Sequence, residues 1–232
     1  MLNETIVLKV KQRLNKLDSQ DYDNIEQWKI VEAFNKAQVE WVRRQLHGMN
    51  TKQEGDEQST RRKDDLQVLL KTEPLSVNNQ KIYYDGNLPD DYLQWKRVDI
   101  DAKSDCCSSN DIVVYLAEEG NVGELLRDDS KKPNFEWRET FATLKNNKVL
   151  IYTNGEFQIT EAALTYYKQP VRIQILNVFD PYTGNVPTAN VLSEFKDDII
   201  ELIIDETISI LGGDIESPNQ MGRGMQTAER NN

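Results

Sequence analysis

Residues 192–211 constrain this chain more than any other stretch. Phe195, Ile199, Leu202, Ile203 and Ile210 recur at helical spacing and make one apolar stripe; Ile200, Ile204, Thr207 and Leu211 make a second, about a third of a turn away. A single stripe marks a helix with one covered face. Two adjacent stripes mark a helix covered on more than one side, as in a bundle interior or between subunits. A proline-marked turn, Asp180-Pro181-Tyr182-Thr183-Gly184, leads into this helix, and an almost core-free stretch, Gly212 to Asn232, follows it. A tail that builds no core of its own either stays disordered or folds onto something else. Methionines in such a segment dock adaptably into shallow apolar pockets. The expected interface is therefore the helix face Phe195, Ile199, Leu202 and Ile203, together with Pro218, Met221 and Met225 of the tail. Ordinary intrachain core is the competing expectation for the helix residues, and plain disorder for the tail.

The rest of the chain divides by hydrophobic period. Ile6, Val10, Leu14 and Leu17 predict an amphipathic helix over Thr5 to Leu17, with Asn3 or Glu4 serving its N-terminus. After a polar break, Asp23 or Asn24 caps a longer helix running to about Leu46 and closed by Gly48. Its apolar face is Ile30, Phe34, Ala37 and Trp41, flanked by Trp28, Val31 and Val42. A short break between two such helices makes an antiparallel αα-hairpin the simplest arrangement. Ser59 then caps a short helix from Thr60 to Leu70, which Pro74 helps to end.

Beyond Pro74 the period shortens. Lys81 to Tyr84 reads as a strand, Asp85-Gly86 as a turn, and Leu88-Pro89-Asp90-Asp91-Tyr92-Leu93 as a tight corner. Residues 95–100 alternate as a strand with Val98 and Ile100 inward. Asp101 to Asn110 reads as polar loop, Ile112 to Leu116 as a second strand, and Gly123 to Arg127 as a short helix. Lys148 to Tyr152 and Phe157-Gln158-Ile159 flank Asn154-Gly155, which predicts a type I′ hairpin because both turn residues tolerate positive φ. Val171 to Leu176 predicts one more strand. The order of helices, then strands, then a closing helix gives an α+β fold. It comprises an N-terminal helical hairpin packed with a C-terminal helix, a mostly antiparallel β middle and an extended C-terminal tail. The expected boundaries are 1–73, 74–190, 191–212 and 213–232.

Charge narrows the function. The net charge is −11, and the densest basic cluster, Arg61-Arg62-Lys63, is followed at once by Asp64-Asp65. Gripping nucleic acid by counterion release needs clustered Lys and Arg, which this chain lacks. No apolar run reaches the length of a membrane span and the N-terminus shows no signal-peptide pattern, so a cytoplasmic site of synthesis is expected. Cys106 and Cys107 are adjacent, which makes two reduced thiols in a loop the expected state.

Catalytic chemistry finds no support. The single histidine, His47, stands near a helix end, where interaction with the helix dipole or solvent explains it. Neither a Gly-x-Ser-x-Gly elbow nor a phosphate-cradling or dinucleotide-binding glycine loop is present. The carboxylate pairs, such as Asp90-Asp91 and Asp197-Asp198, are what a chain with 39 acidic residues places on a solvated surface. Trp28, Trp41, Trp95 and Trp137 lack interleaved basic residues, so core packing is favoured over base stacking. No cofactor, metal or catalytic residue is expected.

The αα-hairpin, the Leu88–Leu93 corner, Ile151-Tyr152-Thr153, the Tyr-Tyr-Lys-x-Pro run at Tyr166 to Pro170, and the acidic-apolar closing helix with its tail occur in this order. Together they resemble the adaptor or ring proteins of the head-to-tail connector in short-tailed phages, and most of all the ring proteins of crAss-like phages. The resemblance implies a virion structural protein without enzymatic activity, in a homo-oligomeric ring, commonly of twelve subunits. It further implies neighbours in the portal protein and further tail or ring proteins, and double-stranded DNA passing through the lumen. An acidic lumen would repel DNA and let it slide without specific binding. The alternative is an acidic, non-enzymatic binding or chaperone-like module that uses the same apolar helix to hold a client.

Overall fold

The computed structural model describes residues 1–15, 25–48, 60–104 and 107–214. Among these the chain forms five α-helices: α1 (Asn3–Asn15), α2 (Gln27–His47), α3 (Thr60–Leu66), α4 (Val122–Leu125) and α5 (Asp197–Asp214). Its eight strands are β1 (Leu70–Pro74), β2 (Val77–Asn79), β3 (Tyr83–Asn87), β4 (Tyr92–Ser104), β5 (Cys107–Leu116), β6 (Glu139–Lys145), β7 (Lys148–Tyr152) and β8 (Gln158–Lys168). They fall into two compact units. One takes Met1–Val68 and the chain from Pro170 onward; the other takes Leu69–Gln169. The helical unit thus claims residues 170–190, which the sequence assigned to the β-rich part, and the sheet begins at Leu70 rather than after Pro74.

In the helical unit α1 and α2 each pack on α5 more than on one another. Ile6, Val10 and Leu14 of α1 and Ile30, Phe34 and Ala37 of α2 are fully buried, as their helical spacing requires. On α5, Ile199, Ile200, Ile203, Ile204, Thr207, Ile208 and Leu211 are buried, so the second stripe is covered in full, while Leu202 and Ile210 of the first are half-buried. The buried Thr207 hydroxyl donates to the Ile203 carbonyl at 2.7 Å, which satisfies it within the helix. Gly48 closes α2 in the left-handed conformation (φ 66°), its N–H donating to the Arg44 carbonyl. α5 starts at Asp197, five residues later than the apolar pattern suggests, with Asp197 and Asp198 in the first turn where the helix dipole favours negative charge.

The β unit is one eight-stranded sheet in the order β1-β8-β4-β5-β6-β7-β3-β2, antiparallel throughout except for the parallel pair β5–β6. Val98, Ile100 and Ala102 of β4 point into a core shared with Leu75, Tyr84, Ile112, Val114, Ile151, Phe157 and Leu164. Pro74 lies on the edge strand β1, where its missing N–H costs no ladder bond. The expected helix through Leu70 ends at Leu66, and a 3₁₀ turn at Gln67–Leu69 leads straight into β1.

Four local expectations are corrected. Asp85-Gly86 is the middle of β3, not a turn: a Cβ on Gly86 would come within 2.8 Å of Leu75 Cγ, so the glycine makes room for close packing. The polar run from Asp101 continues β4, and β5 begins at Cys107, so the polar residues alternate along a long hairpin rather than forming a loop. Asn154 and Gly155 do have positive φ (52° and 77°), but β7 and β8 do not pair. The two-residue left-handed turn that does close a hairpin is Asn146-Asn147 (φ 51° and 59°), between β7 and the unforeseen β6. Finally, residues 171–176 form no strand; the backbone there makes a single bridge, Gln174 to Val191.

Candidate functional site

The corner Leu88–Leu93 and the Tyr166–Gln169 run, far apart in sequence, meet in the β unit. Tyr166 is fully buried, and its hydroxyl donates to Asp91 Oδ1 at 2.6 Å, with Glu73 Oε2 at 3.2 Å. Lys71 Nζ bridges the same two carboxylates, 3.0 Å from Asp91 and 2.8 Å from Glu73. The Gln169 backbone N–H donates to the Asp91 carbonyl at 2.7 Å, and the Tyr92 ring lies against Tyr166 with centroids 5.8 Å apart.

The charges follow from these contacts. Burial pushes the Asp91 carboxyl up, but the Tyr166 hydroxyl and the Lys71 ammonium more than offset this and hold it below the usual carboxylate range. Burial and then the Asp91 carboxylate push the Tyr166 phenol well above its ordinary value, while hydrogen bonds to Glu73 and Asp91 raise Lys71. A phenol so held stays protonated and serves as a fixed donor. The cluster is a polar joint binding β1, the β4 corner and the end of β8.

In the helical unit, side-chain amides hold the extended backbone that follows Pro170. Asn35, on the buried face of α2, accepts from the Ile173 N–H at 2.8 Å and donates to the Ile173 carbonyl at 3.2 Å. Gln38 donates to Asn35 Oδ1 and accepts from the Ser193 hydroxyl at 2.9 Å. Asn3 donates to the carbonyls of Gln174 and Val191, both at 2.8 Å. The Asp180 carboxylate, itself buried, accepts from the Tyr182 N–H, the Thr183 hydroxyl and the Gln174 amide, so the turn that follows is fixed from within. These amides escaped the sequence reading. Their signal is present as polar residues, Asn35 and Gln38, set among Phe34, Ala37 and Trp41 on the apolar face of α2.

Three acidic residues of α5 are matched by basic side chains of its neighbours. Glu201 pairs with Lys9 and Arg13, Asp205 with Arg13 at 2.5 Å, and Glu206 takes both terminal nitrogens of Arg44 at 2.7 and 2.9 Å. Burial pushes Glu201 up, but Lys9 and Arg13 prevail and hold it low; at Asp205 burial prevails over Arg13 and the carboxyl is raised.

Of the residues expected at an interface, Phe195, Ile199 and Ile203 are buried in the helical unit, Phe195 edge-on to Trp41 with centroids 5.5 Å apart. Leu202 is half-buried. Pro218, Met221 and Met225 lie outside the described residues. His47 is the last residue of α2 and is exposed; Trp41 is buried, whereas Trp137 is exposed. Among the described residues no group of three or more His, Cys, Asp or Glu is placed to hold a metal ion, and no helix is long and apolar enough to cross a membrane.

Six of the exposed large apolar side chains fall in one stretch, Val171, Leu176, Phe179, Tyr182, Val186 and Leu192; others, among them Leu2, Leu8, Val113, Tyr115 and Trp137, lie elsewhere. A second feature is a hollow of about 960 Å³ over β1, β8, β4 and β5, bordered by Glu73, Asp99, Asp101, Asp111 and Glu161. Its one cation, Arg97, pairs with Asp99 at 3.1 Å. Comparison of the chain with protein-family models and with curated proteins finds no match.

Proposed function

We propose that this protein is a non-enzymatic structural subunit of the head-to-tail connector of a short-tailed phage. Copies form a ring, in the dodecameric arrangement of the proteins it resembles, that extends the DNA channel between the portal and further tail or ring proteins. The observation that carries this reading is the joint at Asp91. The Leu88–Leu93 corner and the Tyr166–Pro170 run, two of the motifs on which the resemblance rests, are spent on one another as architecture: Asp91 accepts from the Tyr166 hydroxyl and the Gln169 N–H. Residues that define a scaffold are expected to behave so, and Tyr166, fully buried, has its hydroxyl proton committed to Asp91. The matched ion pairs of α5 add support, because they spend its carboxylates on holding the bundle together rather than on a ligand.

On this reading the protein belongs to the virion, after assembly in the host cytoplasm, and its net charge of −11 lets DNA pass without specific binding. Co-expression with a candidate portal protein, followed by electron microscopy, tests the assignment. A ring of this protein stacked coaxially on the portal is the expected result. A chain that never associates with the portal, and instead captures unfolded clients, would move the assignment to an acidic chaperone-like binding module.

A further inference from the structure

In a chain with 29% charged residues, the 25 positions from Gln169 to Ser193 contain only two charges, Arg172 and Asp180. Neither presents a free charge at the surface. Asp180 is buried under three donors. Arg172 is paired with Glu32 at 2.6 Å, and the Tyr182 ring lies over its guanidinium at 4.2 Å. Within this neutral stretch Phe179, Tyr182 and Val186 are roughly half exposed or more, at 49%, 73% and 53%. The backbone beneath them is held in place: Asp180 and Asn185 bridge, the Gly184 N–H donates to the Asp180 carbonyl at 2.9 Å, and Asn190 Oδ1 accepts from the Leu176 N–H at 2.7 Å.

Large apolar and aromatic side chains without charge, on a pre-ordered loop, have the make-up of an interface centre. Charge selects the occupant. A cationic partner would be drawn to the acidic surface and gain little from a neutral patch. A partner that is itself strongly acidic is repelled by the net field of this chain and meets less opposition at a stretch without free charge, and a second copy, at −11, is such a partner. We propose that the loop around Phe179, Tyr182 and Val186 is the surface by which copies of this chain dock on one another. The proposal rests on the ring-subunit reading and names the contact surface that reading needs.

The test is sedimentation of the full-length protein across concentration and salt, for the wild type, Phe179→Ser and Val186→Asp, with Tm measured for each. The wild type should self-associate more tightly as salt rises, because salt screens the repulsion between acidic copies and leaves the apolar contact. Each variant should weaken association by at least about tenfold with Tm unchanged, the size expected for a residue at an interface centre. Variants that assemble like the wild type overturn this surface while leaving the ring-subunit reading intact. A wild type that is monomeric at every concentration and salt overturns self-docking, and that reading is then judged separately by portal co-assembly. A photo-crosslinker placed at position 182 should join two chains; a cross-link to residues 215–232 of the same chain would assign the patch to the protein's own tail and overturn the proposal.

Discussion

Asp101 lies directly opposite Asp111 on β5 and Glu161 on β8, so three carboxylates share one cross-strand row. The hydrogen bond with Asp111 and then burial push the Asp101 carboxyl above its ordinary value of 3.8, with the charges of Asp111 and Glu161 acting in the same sense. The folded state therefore binds this proton more tightly than the unfolded chain does, so stability falls as pH rises through the window above 3.8. Asp111→Asn should raise Tm at pH 7, and the gain should shrink as pH approaches 3.8; melts at several pH values check it. Gly86→Ala should destabilise by about 1–3 kcal/mol, read by denaturant titration, because the added methyl has Leu75 Cγ at 2.8 Å. Asn35→Ala leaves the Ile173 N–H and carbonyl without their partner and should cost about 1–3 kcal/mol on the same readout. Asn35 was hidden in the sequence because a lone amide hardly alters the helical period of its apolar neighbours, and nothing local says which backbone it will serve.

Three elements explain most of the helical unit, and all three were legible. The periods of α1, α2 and α5 fix which faces are covered, and one face of each is covered as predicted. Pairing between distant elements was not legible. Asn154-Gly155 set its own backbone angles correctly, yet a turn signal cannot name the neighbour of a strand: β7 lies between β6 and β3, and β8 between β1 and β4. Val171 to Leu176 has the β-branched look of a strand, but its hydrogen bonds go largely to side-chain amides. The carboxylate pairs were expected on solvated surface, whereas Asp205 and Glu206, together with Glu201, tie α5 to α1 and α2. Glu206→Gln should cost about 1.5–3 kcal/mol by denaturant titration, because Arg44 loses a charge-assisted, two-point partner. Glu201, held below 4.5, adds stability that is present above its unfolded value and lost as pH falls through the lower folded one.

The molecule has two units in one chain: a helical unit in which α5 is packed on both α1 and α2, and a sheet unit whose corner and final strand are clasped at Asp91. Cutting the chain after Asp214, where α5 ends, should leave Tm unchanged and, if the proposed ring-subunit role holds, weaken attachment to the next ring, because Pro218, Met221 and Met225 go with the tail. Tail-less protein that enters particles as readily as the full chain would remove the tail from the account. The α+β architecture was readable from the order of periods. The role was not, because the function proposed above would lie in contacts between copies, which no spacing within one chain marks. The most direct measurement is the mass of the purified full-length protein in solution, by light scattering or mass photometry across concentration, with and without the portal. The account predicts one discrete species near a dozen subunits, formed alone or on the portal; a protein that stays a monomer under both conditions would contradict it.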